Sequence, residues 1–237
     1  MIVGLLTGRG GNSTLPDKNV FPVLGKPLMS YVAESASRAR LLDRIFVSTE
    51  DAKIRAVGAD LGLEIIDRPE EFARPDSEHD ECLMHAVEYI AEKGIEVEIL
   101  VVLMCNVGIQ PEGKIDECVQ ALLDDPELDA AVTVREWGDH HPTRAKRASD
   151  DGLLNPILDV SPSVTTTRQL LGNCYYLDHQ VWALRVSGCF KGDGQPPWRF
   201  MGQRVKGIPN GDIVVDVHGL DEIRYTELWL RGTAEGQ

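Results

Sequence analysis

The sequence predicts a single α/β domain, residues 1–237, built on a doubly wound and mostly parallel sheet. Short, continuously apolar segments alternate along the chain with amphipathic segments of helical spacing, and the connections between them are short. This alternation implies right-handed crossovers and helices on both faces of the sheet. A chain of 237 residues with 43% hydrophobic content can bury one large core. Ligands of such sheets bind beyond the carboxyl ends of the strands, and we expect the site there.

The first half of the chain predicts four buried strands separated by helices. Each strand segment is continuously apolar rather than alternating, as in parallel strands that are covered on both faces. The first helix begins near Pro27, which suits a first helical turn, and the second ends at Gly62, which suits a helix terminus. The predicted strands are 2–7, 44–49, 63–66 and 98–103, and the predicted helices are 28–39, 51–61 and 80–93.

The second half continues the alternation with one interruption. After a strand at 130–134 the chain carries Trp137, a His140–Pro142 cluster and a basic run at 144–147. We interpret residues 136–182 as an excursion from the sheet that acts as a dimerisation lobe, with irregular loop structure as the alternative. The other predicted elements are helices at 114–123 and 220–232 and strands at 174–182 and 211–217.

Charge and cysteine content restrict the partners and the compartment. The formal net charge of -14 argues against nucleic acid or an anionic membrane as a partner, while a small anion remains possible where cations gather locally. The five cysteines are widely spaced and include no CxxC pair, so neither a disulfide framework nor a structural zinc site is predicted. The apolar start is too short for a signal peptide, and no run is long enough to span a membrane. We therefore expect a cytoplasmic protein.

A glycine-rich loop with two cations follows the first strand, over residues 8–19. Glycines let backbone N–H groups approach an anion closely, and consecutive amides add partial positive charge. Arg9 and Lys18 supply the full charges that a triphosphate requires. A surface turn that happens to hold two cations is the alternative. Asn19, at the end of the loop, either reads a base edge or caps a turn.

Two further segments place polar groups near predicted strand ends. Arg68 follows the third strand, and its guanidinium either enters the crevice or forms a surface ion pair. Asp216 and His218 alternate along the last predicted strand and would share one face. Such a pair suits a divalent metal beside a polyphosphate, although both residues could simply precede the final helix.

Other chemistries find little support in the sequence. His140 and His141 are adjacent, so their side chains point in different directions, and no third ligand lies at a suitable spacing. The Gly-x-Ser-x-Gly, GxxxxGK[ST] and GxGxxG patterns are all missing from the chain. A serine hydrolase, a P-loop ATPase and a simple dinucleotide enzyme are therefore disfavoured.

Together these segments resemble the acylneuraminate cytidylyltransferase family, which includes the CMP-sialic acid and CMP-Kdo synthetases. The family motif reads approximately A-R-G-G-S-K-G-x-P-x-K-N, and residues 8–19 follow it in register as G-R-G-G-N-S-T-L-P-D-K-N. Further matches in the family order cover nearly the whole chain: 25–28, 48–50, 68–69, 72–73, 76–77, 168–170 and 216–218.

The resemblance implies a nucleotide-diphospho-sugar transferase-like fold, a homodimer, and transfer of CMP from CTP to an acidic acceptor with release of pyrophosphate. It implies Mg²⁺, or Mn²⁺, as the metal. The implied catalytic residues are Arg9, Lys18 and Asp216, and the implied metal ligands are Asp216 and His218. The implied nucleotide-binding residues are Thr7, Gly8, Arg9, Gly10, Gly11, Asn12, Ser13, Lys18, Asn19, Arg68 and Ser77. The implied acceptor-binding residues are Asn106, Arg168, Gln169 and Tyr176.

Three departures from the family pattern bear on activity. Ser13 replaces the lysine in the middle of the opening loop, which removes a cation and shifts its task to Lys26 or to a metal. Residues 104–110 replace the family's Q-P-T-S-P-L-R, so polar acceptor contacts are largely lost. His218 replaces a metal-binding aspartate, and a neutral imidazole weakens a Mg²⁺ site because hard cations prefer oxygen.

Two alternatives follow from these departures. One is a homologue with weak or no turnover that binds nucleotide as a scaffold or regulatory dimer. The other is a nucleotide-sugar glycosyltransferase, which is disfavoured because no Asp-x-Asp follows a strand in mid-chain.

Overall fold

The computed structural model describes residues 1–11, 14–137, 140–161, 163–211 and 216–235, with the side chains of 233–235 left out. The strands in these ranges are numbered in chain order. They are β1 Ile2–Thr7, β2 Pro22–Val23, β3 Lys26–Pro27, β4 Arg44–Thr49, β5 Glu64–Asp67, β6 Ile99–Met104, β7 Ala130–Glu136, β8 Lys146–Ala148, β9 Leu154–Pro156, β10 Tyr175–Arg185 and β11 Val205–Pro209. The helices are α1 Leu28–Arg38, α2 Ala52–Asp60, α3 His79–Glu92, α4 Lys114–Asp124 and α5 Leu220–Glu235.

A seven-stranded sheet forms the centre of the molecule, in the order β11-β7-β10-β6-β1-β4-β5. Strand β10 is antiparallel to both of its neighbours, and the other pairings are parallel. The predicted fold class, a doubly wound and mostly parallel α/β sheet, is confirmed. The parallel strands β1, β4, β5 and β6 all end at one edge of the sheet, which is where the polar residues of the site follow them.

Helices cover both faces of the sheet, which explains why its strands are continuously apolar. Leu6 packs in a cluster with residues of α1, α2 and α4, while its neighbour Leu5 packs on the opposite face with residues of α3. Trp182 of β10 is also buried on the α3 face. Successive residues of β1 point to opposite faces, and both faces are buried, so consecutive positions need apolar side chains.

Local sequence signals account for two of the helix starts. The Asp51 side chain accepts hydrogen bonds from the backbone N–H groups of Lys53 at 2.8 Å and Ile54 at 3.0 Å, which caps α2. Helix α3 begins with a capping box between Glu78 and Glu81. Such caps fix where these helices begin and therefore which residues face the sheet edge.

Strand β11 is an element that the sequence did not predict. It lies at an edge of the sheet and pairs only with β7 among the described strands. Its sequence contains Gly207 and Pro209, and only Ile208 is buried. The apolar signal of an edge strand is weak for this reason. Residues 212–215 of the strand predicted at 211–217 lie outside the described residues, and Asp216 forms an isolated antiparallel bridge with Val107.

The predicted excursion leaves the sheet after Glu136 and returns at Tyr175. Between these points lie the β8–β9 hairpin and short 3-10 turns. The predicted bounds of the excursion, 136–182, extend too far, because residues 175–182 belong to β10 and therefore to the central sheet. Several apolar side chains of the excursion are exposed to solvent, and they are Leu153, Leu154, Ile157, Leu158, Val164 and Leu170.

Among the described helices, none combines the length and apolar character needed to cross a bilayer.

Candidate functional site

A cleft of about 570 Å³ opens at the edge of the sheet where β1 and β6 end. The predicted site residues that line it are Thr7, Gly8, Arg9, Gly11, Lys18, Asn19, Arg68, Ser77, Asn106 and His218. Lining residues that sequence reasoning did not assign to the site are Thr14, Leu15, Phe72, Arg74, Pro75, Glu78, His79, Cys82 and Met104. Within a chain of formal net charge -14, four cationic side chains therefore meet at one cleft: Arg9, Lys18, Arg68 and Arg74.

The glycine-rich loop leaves β1 at Gly8, where space permits no side chain. A Cβ atom at Gly8 would lie 3.0 Å from Cys105 Sγ and 3.2 Å from Asn19 Nδ2. The buried Asn19 amide donates to the Arg9 carbonyl at 3.0 Å. Asn19 therefore holds the loop in shape as well as lining the cleft. Asn12 and Ser13, two of the predicted nucleotide-binding residues, lie outside the described residues.

One amide of the glycine-rich loop is paired with a carboxylate of the same chain. The Gly10 N–H donates to Glu50 Oε1 at 2.7 Å, and Glu50 comes directly after β4. Gly10 itself does not appear among the residues that line the cleft. One loop amide is thus paired with an acidic side chain, while Gly8, Arg9 and Gly11 face the cleft.

The two loop cations are held by backbone carbonyls from distant parts of the chain. Arg9 Nη1 donates to the Ala73 carbonyl at 3.3 Å, and Lys18 Nζ donates to the Val217 carbonyl at 3.2 Å. Burial lowers the pKa of Lys18, Asp216 opposes this shift, and Arg9 adds to it. A phosphate oxygen placed beside Lys18 would relieve the cost of burying its charge.

Arg68 and Ser77 hold the wall of the cleft on the α3 side. The Arg68 guanidinium is buried and donates from Nε to Ser48 Oγ at 3.1 Å and from Nη2 to the Ser48 carbonyl at 2.6 Å. Ser77 Oγ donates to the Glu71 carbonyl at 2.6 Å. Arg68 therefore enters the crevice rather than forming a surface ion pair.

His218 lines the cleft, whereas Asp216, a predicted catalytic residue and metal ligand, does not. Asp216 lies close enough to Lys18 and His218 for their charges to interact. Oδ1 of Asp216 is buried and has no hydrogen-bond partner among the residues that the structure describes. Burial raises the pKa of Asp216, and His179, His218 and Lys18 counteract this shift. No group of three His, Cys, Asp or Glu side chains in the described ranges could hold a metal ion. Any metal here would take its remaining ligands from water or from a bound molecule.

His79 is a cleft residue that sequence reasoning did not assign. It is the first residue of α3, and its ring lies 5.3 Å from that of Trp182 and 6.5 Å from that of Phe200. Burial, followed by the charges of Arg68 and His179, lowers the pKa of His79 to about 4. The imidazole is therefore neutral near pH 7 and offers one donor and one acceptor to the cleft. Its only sequence signal was the polar run at 76–80.

This pKa predicts a pH dependence of stability. A histidine whose pKa falls below its unfolded value of about 6.5 stabilises the fold above pH 6.5, and that contribution is lost as the pH drops toward 4. Replacing His79→Gln should therefore remove about 2 kcal/mol of the decrease in unfolding free energy between pH 7 and pH 5. Urea denaturation of both proteins at the two pH values measures it. Equal decreases in the two proteins would contradict the low pKa.

The predicted acceptor residues do not all come together. Asn106 lines the cleft, and its Nδ2 donates to the Val217 carbonyl at 3.3 Å. Arg168 and Gln169 lie on an exposed 3-10 turn of the excursion and do not line the cleft. Tyr176 lies at the start of β10, where its hydroxyl donates to the His140 carbonyl at 2.5 Å. Within one chain, only Asn106 of the four is part of the cleft.

The sheet, the glycine-rich loop and the cation-lined cleft define an α/β protein with a cationic cleft at the carboxyl ends of its parallel strands. A sequence profile of the cytidylyltransferase family matches residues 3–148. This match spans more than half of the chain, and the chain belongs to the cytidylyltransferase family.

Individual relatives are similar over shorter segments. N-acylneuraminate cytidylyltransferase of Escherichia coli is 28% identical over 86 residues, 36% of this chain and 20% of that protein. Two 3-deoxy-manno-octulosonate cytidylyltransferases also match. That of Syntrophobacter fumaroxidans is 42% identical over 65 residues, 27% of this chain and 26% of that protein. That of Bdellovibrio bacteriovorus is 22% identical over 131 residues, 55% and 49% of the two chains. The matched segments thus span between a fifth and a half of these relatives.

Solved structures match the fold over nearly the whole chain. A CMP:2-keto-3-deoxy-manno-octonic acid synthetase complexed with CTP superposes with a TM-score of 0.68 at 17% identity, covering 98% of this chain and 99% of that chain. The 4-diphosphocytidyl-2C-methyl-D-erythritol synthase of Anaerococcus prevotii gives a TM-score of 0.61 at 13% identity, covering 97% and 96%. At these identities the likeness shows a shared fold.

Proposed function

We propose that the protein is a CTP-dependent cytidylyltransferase that transfers CMP to an acidic acceptor and releases pyrophosphate. The observation that carries the proposal is the cleft in which the glycine-rich loop meets Arg9, Lys18, Arg68 and Arg74. A nucleoside triphosphate carries several negative charges, and the four cations beside the glycine-rich loop balance them. Membership of the cytidylyltransferase family supports CTP as the nucleotide.

The proposed chemistry depends on positioning and charge. A hydroxyl oxygen of the acceptor attacks the α-phosphorus of CTP, the bond from that phosphorus to the bridging oxygen of pyrophosphate breaks, and the hydroxyl proton passes to solvent. Arg9 and Lys18 hold the phosphates so that attack is in line, and their charges stabilise the additional negative charge on the departing group. Asn19, Arg68 and Ser77 face the cytidine end of the cleft.

The residues beside Lys18 fit a divalent cation. Asp216 has a buried Oδ1 that makes no hydrogen bond to a described residue, which is the state expected of a carboxylate oxygen that binds a cation. Asp216 and His218 would hold Mg²⁺ or Mn²⁺, which when bound neutralises charge on phosphate oxygens. His218 favours Mn²⁺ more than an aspartate would, because imidazole is a softer ligand.

The acceptor is proposed to be a sugar acid, since the family relatives named above act on acylneuraminate or on 3-deoxy-manno-octulosonate. The excursion, which carries Arg168 and Gln169, also exposes apolar side chains such as Leu154 and Leu170. Burying them between two copies of the chain would make a homodimer. In that dimer Arg168 and Gln169 would bind the acceptor of the neighbouring subunit.

Pyrophosphate release measures the proposed reaction directly. The protein is incubated with CTP, Mg²⁺ or Mn²⁺ and a panel of sugar acids that includes a nonulosonate and 3-deoxy-manno-octulosonate. We expect pyrophosphate in amounts equal to the CMP-linked product, for at least one acceptor. Replacing CTP by UTP is the matched control. Absence of CTP binding in calorimetry would rule the proposal out.

A second candidate is a nucleotide-binding homologue without turnover. It is favoured by Ser13 and His218, which replace a family lysine and a family aspartate. The two candidates differ in one measurable outcome. A nucleotide-binding scaffold binds CTP but releases no pyrophosphate, whichever acceptor or metal is supplied.

A further inference from the structure

The guanidinium of Arg74 differs from the other three cationic groups of the cleft in having no partner among the described residues. Arg9, Lys18 and Arg68 each donate to a backbone carbonyl. The guanidinium of Arg74 forms no ion pair or hydrogen bond with any residue that the structure describes, although it lines the same cleft. A ligand can therefore bind Arg74 without breaking a contact within the protein.

The turn that precedes Arg74 is hydrogen-bonded to the glycine-rich loop. Arg9 Nη1 donates to the carbonyl of Ala73 at 3.3 Å, and Arg74 is the next residue. Arg74 follows the 3-10 turn Glu70–Ala73, so this hydrogen bond ties the turn to the loop. Because Arg9 and Arg74 line the same cleft, a single polyphosphate can contact both residues.

The loop itself is short of one cation. Ser13 stands where the family motif has a lysine. Lys26, the substitute that the sequence suggested, does not line the cleft; its Nζ pairs with Glu34 at 2.6 Å and lies 5.7 Å from the ring centroid of Tyr31. Arg74 is therefore the cleft cation that has both the position and the freedom to make up the deficit.

We propose that Arg74 binds the terminal phosphates of the nucleotide and stabilises the departing pyrophosphate, in the place of the missing loop lysine. The assignment rests on the proposed function for the identity of the ligand as CTP. A guanidinium suits this role because its planar group of donors matches phosphate oxygens and it stays charged at all working pH values.

Binding of three anions tests the assignment. Isothermal titration calorimetry measures inorganic pyrophosphate, CTP and CMP with the wild type, with Arg74→Ala and with the control Arg38→Ala, which removes an exposed arginine of α1 outside the cleft. Arg74→Ala should weaken pyrophosphate and CTP about tenfold and CMP less than twofold, because CMP lacks the terminal phosphates. Arg38→Ala should change all three less than twofold.

Several outcomes overturn the assignment. They are unchanged CTP and pyrophosphate binding in Arg74→Ala, an equal loss for CMP and CTP, and a wild type that binds neither polyphosphate. If the wild type binds pyrophosphate through Arg74 but does not bind CTP, the proposed function fails while Arg74 stands as a polyphosphate ligand. If CTP binds and Arg74→Ala has no effect, the proposed function stands and this assignment fails.

A double-mutant cycle tests the compensation for Ser13. Ser13→Lys should raise the affinity for CTP at least fivefold in the Arg74→Ala protein and less than twofold in the wild type. An equal gain in both backgrounds would show that the two positions act independently and would overturn the compensation. Arg74 is exposed, so Arg74→Ala should not change the circular dichroism spectrum or the melting temperature, with or without Ser13→Lys.

Discussion

Replacing Arg9→Ala is expected to weaken CTP binding at least a hundredfold while the protein stays folded. Arg9 lines the cleft directly after Gly8, and its guanidinium is tied to the Ala73 carbonyl at the far wall. Its removal eliminates a charge-assisted contact to phosphate and also releases the wall from the loop, so the loss should exceed that of a single hydrogen bond. Calorimetry with CTP measures the effect.

Two controls separate this loss from unfolding and from a simple change in charge. Arg9 lies outside the hydrophobic clusters on the two sheet faces, so the melting temperature should change little. Arg9→Lys keeps the charge but loses the planar group of donors, and we expect an intermediate affinity. Arg38→Ala should bind CTP as the wild type does. Unchanged CTP affinity in Arg9→Ala would place the phosphates elsewhere.

Replacing Asp216→Asn is expected to lower turnover at least a thousandfold. The substitution keeps the size of the side chain but replaces a charged carboxylate, whose Oδ1 is buried without a described partner, by a neutral amide. The protein would lose its one proposed carboxylate ligand for the metal, so charge on the phosphates would go unbalanced during transfer. The affinity for Mn²⁺ in the presence of CTP, measured by calorimetry, should fall together with turnover.

Stability distinguishes this effect from a general loss of structure. Burial raises the pKa of Asp216 above its unfolded value, so its charge at neutral pH opposes folding. The Asp216→Asn protein should therefore melt at the same temperature as the wild type or higher. Loss of turnover together with a lower melting temperature would indicate a structural role for Asp216 instead. Unchanged turnover would exclude it as a metal ligand in the reaction.

Periodicity and turn residues were sufficient for most of the fold. Segments such as 2–7 and 44–49 match β1 and β4 without shift, because buried parallel strands read as continuous apolar runs. Strand β11 was missed because an edge strand with Gly207 and Pro209 lacks that signal. The predicted strand at 174–182 matches the start of β10, so only the assignment of these residues to the excursion was wrong.

The site was predictable where its residues follow strands or a motif. The loop at 8–19 and Arg68 could be placed because the carboxyl ends of parallel strands meet at one edge. Arg74 was not predicted because it lies in an irregular segment, and His79 was not predicted because it lies at the first position of α3, before the predicted amphipathic segment at 80–93. Lys26 is cationic and near the loop in sequence, yet its pairing with Glu34 takes it away from the cleft.

The sequence by itself determined the α/β alternation, the glycine-rich loop with its two cations and the resemblance to the cytidylyltransferases. Only the tertiary structure decided which charges meet. Lys18 reaches the Val217 carbonyl, 199 residues further along the chain, and Arg9 reaches that of Ala73. Such contacts arise because the sheet brings the ends of distant segments to one edge. No local pattern in the sequence encodes which of these side chains bond to the protein itself and which are available to a ligand.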